Sequence, residues 1–169
     1  MWKPKLAKIA FSRNPNHVAS AEPRLRHTLE QLEVYLIDEF DIVVDYDPAG
    51  TDEFWHSDGA AEAGIISINS SHSLEEMVNI LAHEAGHVLL RRTLTADGRN
   101  DFYIRFPNQD SDSDIGRIEV FREEVLAWEK GRELLENLEL CYIVPCWRES
   151  YRKALLNYAK WVSSETNEN

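Results

Sequence analysis

Leu81-Ala82-His83-Glu84-Ala85-Gly86-His87-Val88-Leu89-Leu90 is the stretch on which the reading of the whole chain turns. Histidines at i and i+4 lie one turn apart on the same side of an α-helix, so both imidazoles can reach one tetrahedral metal ion. The glutamate that follows the first histidine sits about 100° around the helix, where it can meet a metal-bound water from the side. The spacing therefore points to His83 and His87 as metal ligands and to Glu84 as the base that activates water. Ser73 and Glu76 stand in capping-box relation just ahead of the stretch, which predicts a helix from Leu74 to about Arg91 or Arg92. On a helical wheel Glu76, Ile80, His83, His87 and Leu90 share one face, and Leu74, Met77, Leu81, Ala85 and Val88 the opposite one. One face is expected to anchor in the core while the other lines a cleft. Gly86 costs about 1 kcal/mol relative to alanine inside a helix, so something is expected to approach closely beside the histidines.

Working outward, Leu25, Leu29, Leu32, Leu36 and Phe40 recur at helical spacing after Ser20, which predicts an amphipathic helix. The β-branched run from Asp41 to Tyr46, bounded by Asp47, Pro48 and Gly50, favours a strand, and Gly64 to Asn69 a second. Weaker strands are expected at Lys8 to Phe11 and at Phe102 to Phe106, the latter leading through a loop at residues 107–112 into a long helix from about Asp114 to Leu138. A last helix follows Pro145, and its stripe Trp147, Tyr151, Leu155, Tyr158 and Val162 is expected to face the core.

Catalytic zinc usually takes three protein ligands and leaves the fourth position to water, so a third ligand is needed. On the helix from Asp114 to Leu138 the apolar residues centre on Ile118, Phe121, Val125, Trp128 and Leu135. Glu119 and Glu123 project away from that face, whereas Glu124 borders it with Ala127 and Gly131 alongside. A buried carboxylate without a partner is costly, which favours Glu124 as a ligand facing another helix. Glu129, at the other border, is the reserve candidate.

Composition narrows the setting. The 169 residues, 43% of them hydrophobic, suffice for one good core, and a single domain over residues 1–162 is expected, with residues 163–169 as a disordered tail. The net charge of −12 repels phosphate backbones, so broad nucleic-acid binding is disfavoured. No apolar run has signal-peptide or membrane-spanning length, and a cytoplasmic protein is expected. Cys141 and Cys146 are too few for a disulfide scaffold and are expected to be reduced core thiols.

The motif from Leu81 to Leu90, followed by a downstream helix carrying Glu124-Val125-Leu126-Ala127, resembles the gluzincin branch of zincin metallopeptidases. In size and layout it is similar to the minimal ImmA/IrrE-like proteins. The resemblance implies an α+β, minimal zincin-like fold, a small mixed sheet packed against helices that include the motif helix. It implies Zn2+ held by His83, His87 and Glu124, with Glu84 as catalytic base in the hydrolysis of a peptide bond of a peptide or protein partner. By the same carry-over the strand from Ile65 to Asn69 borders the cleft and pairs with extended substrate. Trp128 departs from the pattern, standing where those proteins often carry Asn or Asp to orient a histidine ligand. A metzincin would need glycine at position 90 and histidine at position 93, where this chain has Leu90 and Thr93. Peptide deformylases take a cysteine ligand upstream of the motif, and both cysteines here lie downstream. Tyr103, His56 and Arg105 are equal candidates for steadying the oxyanion, while His72, His17 and His27 have no assigned role. The small size and strong negative charge also suit a reading of another class, a non-catalytic regulatory or anti-defence interaction protein with a zincin fold or an acidic, DNA-mimic-like surface.

Overall fold

A computed structural model describes residues 21–50, 52–56, 64–96, 113–140 and 144–164. Helix α1 (Ala21–Phe40) uses its leucine repeat as expected: Leu29, Leu32, Leu36 and Phe40 are buried on one stripe. The helix stops where Asp41 takes a left-handed conformation, φ 54°, with its N–H on the Ile37 carbonyl at 3.0 Å. That residue is consumed by the helix end, so strand β1 runs Ile42–Asp47, one residue later than the expected Asp41 to Tyr46.

Strand β2 (Glu53–His56) was not anticipated from sequence, and β3 (Gly64–Asn69) was. The order is β1-β3-β2, with β1 parallel and β2 antiparallel to β3, so the sheet is mixed and the fold α+β. Registering Ile42 with Gly64 puts Ile42, Ile66 and Ile68 on the buried face, whereas the paired Val43 and Ile65 are exposed on the other. From Gly64 to Ser67, β3 is hydrogen-bonded on both sides, so that stretch has no edge to offer a substrate. Among the described residues the free edges belong to β1 and β2, which corrects the role expected of Ile65 to Asn69.

Helix α2 (Leu74–Ala96) begins at the capping box: Ser73 N–H donates to Glu76 Oε2 at 3.0 Å and Glu76 N–H to Ser73 Oγ at 3.3 Å. Glu76 is exposed and takes part in this cap rather than in the histidine cluster. From Val78 to Leu90 the helix is enclosed rather than two-faced, with α1 and the sheet on one side and α3 (Asp114–Asn137) and α4 (Val144–Val162) on the other. Ser113 caps α3 by accepting from Gly116 N–H, and Glu139, φ 59°, ends it with the Leu140 N–H on the Leu135 carbonyl. Helices α3 and α4 run antiparallel, so Trp147 packs on Trp128 and Tyr151 beside it.

The buried face of α3 is Gly116, Arg117, Glu124, Ala127, Trp128, Gly131, Leu134 and Leu135. This rotates the expected face, since Ile118 is 54% exposed and Glu124 lies within the face rather than at its border. The physical reason is that Ala127 and Gly131 weigh little in a hydrophobicity count yet mark where backbones touch. A Cβ on Gly86 would fall on the Ala127 carbonyl oxygen, and one on Gly131 on that of Ala82. The close approach predicted beside the histidines is thus helix α3 itself. The segments 8–11, 102–106 and 107–112, together with Cys141, lie outside the described residues.

Candidate metal centre

The crossing of α2 and α3 through Ala82, Gly86, Ala127 and Gly131 brings one turn of each helix into contact, and the polar groups of both turns meet there. His83, Glu84 and His87 each present a ligand atom within 4.8 Å of the others, and the three form a group that could hold a metal ion. Glu124 enters from α3. Its Oε1 stands 3.5 Å from His87 Nε2, and its Oε2 stands 3.2 Å from His83 Nε2, within ion-pair distance but without hydrogen-bond alignment. One carboxylate therefore faces both imidazoles, while Glu84 Oε1 approaches His83 Nε2 at 3.7 Å.

Glu123 is also present. Its Oε1 lies 3.3 Å from His87 Nδ1, on the side of the ring away from Glu124. The sequence placed it on the opposite side of its helix, and the rotated phase of α3 brings it in. Glu129 is exposed and takes no part. His83 is held differently: its ring stacks on Trp128 at 4.5 Å and 21°, and its Nδ1 is buried without a hydrogen-bond partner. Where a polar side chain was expected to orient a histidine, the indole gives only a flat wall.

The charges of the cluster do not balance among themselves. Burial would lower the His87 pKa, but the facing carboxylates of Glu123, Glu124 and Glu84 override it and push it up to about 10. Burial opposes ionisation of Glu124, yet contact with His83 and His87 holds its carboxyl down at about 2. His83 goes the other way, because burial lowers its pKa more than Glu124 raises it. Three carboxylates around two imidazoles thus pull a positive charge onto His87. A divalent cation here would satisfy the same field, with the imidazoles as neutral ligands and a partner for the orphaned Glu124 Oε2. The donor set fits a metal.

Two further histidines are placed elsewhere. His72 Nε2 pairs with Asp52 Oδ2 at 2.7 Å, and Asp52 Oδ1 accepts from Asn69 N–H, so this pair ties the turn before β2 to the end of β3. It lies about three helical turns from His83. His27 is exposed on α1. Among the oxyanion candidates, His56 is in β2, and Tyr103 and Arg105 fall outside the described residues. Tyr158, expected only as core, is half-buried on α4, and burial together with the charge of Glu124 raises its pKa above the ordinary value.

Among the described residues no helix is long and apolar enough to cross a membrane. The family model of the IrrE N-terminal-like domain, Peptidase M78, matches residues 37–125, more than half of the chain and the whole His83–Glu124 cluster. No curated protein and no solved structure matches the chain.

Proposed function

The chain belongs to the IrrE N-terminal-like domain family, Peptidase M78, and from that premise we propose that it is a zinc-dependent peptidase cutting one or a few protein partners in the cytoplasm. His83, His87 and Glu124 are its zinc ligands and Glu84 its general base. The observation that carries this reading is the meeting of Glu124 with both Nε2 atoms at 3.2 and 3.5 Å, from a different helix. Two imidazoles and one carboxylate are a set that holds zinc and leaves a coordination position for water or substrate.

When bound, zinc polarises the scissile carbonyl and makes water nucleophilic near neutral pH. The protein's own part is positional. Glu84, buried beside His83, accepts a proton on its carboxylate from the attacking water and delivers it to the departing amine nitrogen. Glu123 accepts from His87 Nδ1, which leaves Nε2 as the ligand atom. The outer edge of the antiparallel strand β2 is the place for an extended substrate, since strand addition needs an unpaired edge.

Short peptides offer little surface for binding energy, so recognition of a particular partner has to supply the specificity. Incubating the zinc-loaded protein and its Glu84→Gln variant with a host-cell lysate, and mapping new N-termini by mass spectrometry, tests this directly. A few termini unique to the wild type are expected. Identical termini in both samples would remove the catalytic reading and favour an interaction protein instead; broad digestion would remove the narrow specificity.

A further inference from the structure

The pair formed by His72 and Asp52 lies outside the metal centre, at a junction where the ends of β1 and β3 meet the starts of β2 and α2. Strand β1 ends at Asp47, whose carbonyl accepts from the N–H groups of Gly50 at 2.8 Å and Ser70 at 3.0 Å. The turn that leaves β1 and the turn that leaves β3 thus share one acceptor. A Cβ on Gly50 would fall 2.7 Å from the Ile68 carbonyl, so the chain there lies flat against the end of β3. Two residues on, Asp52 takes a left-handed conformation, φ 58°, and Glu53 opens β2 directly after it.

A left-handed residue other than glycine persists where its surroundings hold it, and the Asp52 carboxylate is held on both oxygens. Its Oδ1 accepts from Asn69 N–H at 2.8 Å, and its Oδ2 pairs with His72 Nε2 at 2.7 Å. Both partners belong to the turn between β3 and α2, and His72 immediately precedes the Ser73 cap of α2. The two side chains are 31% and 28% exposed, and a pair so open to water adds little to stability. Its consequence is for position. Strand β2 is only four residues long, paired from Glu53 against Ser67 to His56 against Gly64, and so few rungs resist a slip of register weakly. The anchor at Asp52 supplies what the ladder lacks.

We propose that His72 is a positioning residue for substrate: through Asp52 it fixes β2 relative to α2, and so fixes which bond of a strand-paired polypeptide reaches the metal centre. The inference rests on the proposed reading of β2 as the substrate edge and of the His83–His87–Glu124 cluster as the catalytic centre. A strand added to β2 copies its register, and each residue of slip displaces that strand by about 3.3 Å, bringing the neighbouring peptide bond to the metal. An anchored edge gives one cleaved bond, and a loose edge gives several adjacent ones.

The test sets wild type beside His72→Ala and His72→Gln, whose amide can still donate to Asp52, in the same host-cell lysate with new N-termini mapped by mass spectrometry. Wild type and His72→Gln are expected to give a single terminus at each cleaved site, and His72→Ala ragged termini on adjacent bonds. Zinc content is expected to stay at the wild-type value in both variants, with thermal midpoints within roughly 4 °C of it. In His72→Ala the amides of Glu53 to His56 are expected to exchange with solvent roughly tenfold faster, and those of α2 at the wild-type rate. Equally sharp termini in His72→Ala, or ragged ones that His72→Gln does not sharpen, would overturn the proposal. So would loss of zinc or a larger fall in midpoint in His72→Ala, since His72 would then serve the fold rather than the register. Wild-type termini identical to those of Glu84→Gln would instead overturn the proposed function, and this inference with it.

Discussion

The two sides of α2 are built on different principles. Toward α1 and the sheet, contact is made by large side chains such as Leu32, Leu36, Ile66, Ile68 and Leu81, all fully buried. Toward α3 the contact is backbone on backbone, through Ala82, Gly86, Ala127 and Gly131. The first side derives its stability from apolar area, and a lost methylene there leaves a cavity. The second also buries Trp128, Leu134 and Leu135, but its spacing is set by the small residues between them. Its close approach brings Glu123 and Glu124 within 3.2 to 3.5 Å of two imidazoles, so it sets the geometry of the site. Packing for stability and packing for position are therefore separable in this molecule.

The largest effect is expected from Gly86→Val. Its side chain would be driven into the Ala127 carbonyl, and the helices would have to part. A loss on the order of 3 kcal/mol or more, with a thermal midpoint lower by roughly 10 °C, is expected together with loss of metal binding. A well-folded, metal-binding Gly86→Val protein would show that the crossing is not the source of the site's geometry.

Leu36→Ala sharpens the contrast from the other side. Deleting a fully buried leucine costs about 2–5 kcal/mol, a stability loss comparable to that of the obstructed crossing but with the site left in place. Calorimetric titration of the folded variant below its transition should return the wild-type metal affinity. A fall in affinity of tenfold or more would mean that the two sides of α2 are coupled after all.

The division also explains what could be read from sequence. Helix α1, the start of α2 and strand β3 were legible because leucine spacing, the Ser73–Glu76 box and a β-branched run are local signals. His83, Glu84 and His87 were legible for the same reason, since one helix fixes their spacing. Strand β2 was not, being four residues held by pairing with β3 rather than by any alternation of its own. On a wheel Glu124 borders the apolar face and Glu123 points away from it, because the placement of both depends on how α3 meets α2. A wheel weighted by hydrophobicity cannot see a seam made of glycine and alanine.

The smallest of these effects is expected from Glu123→Gln. The amide keeps the size of the carboxylate and can still accept from His87 Nδ1, but it removes the negative charge. Metal affinity should fall roughly tenfold with stability changed by less than about 1 kcal/mol. Glu129→Ala, on the exposed side, is the matched control and should change neither. Equal losses in the two variants would return the helix to the phase suggested by its apolar residues.

Elemental analysis of the protein purified after expression with zinc tests the central claim most directly. About one zinc per chain is expected in the wild type and in Glu84→Gln, and essentially none in His87→Ala. A wild type without transition metal, or a His87→Ala protein that keeps its full complement, would contradict the assignment of the His83–His87–Glu124 cluster as a metal centre.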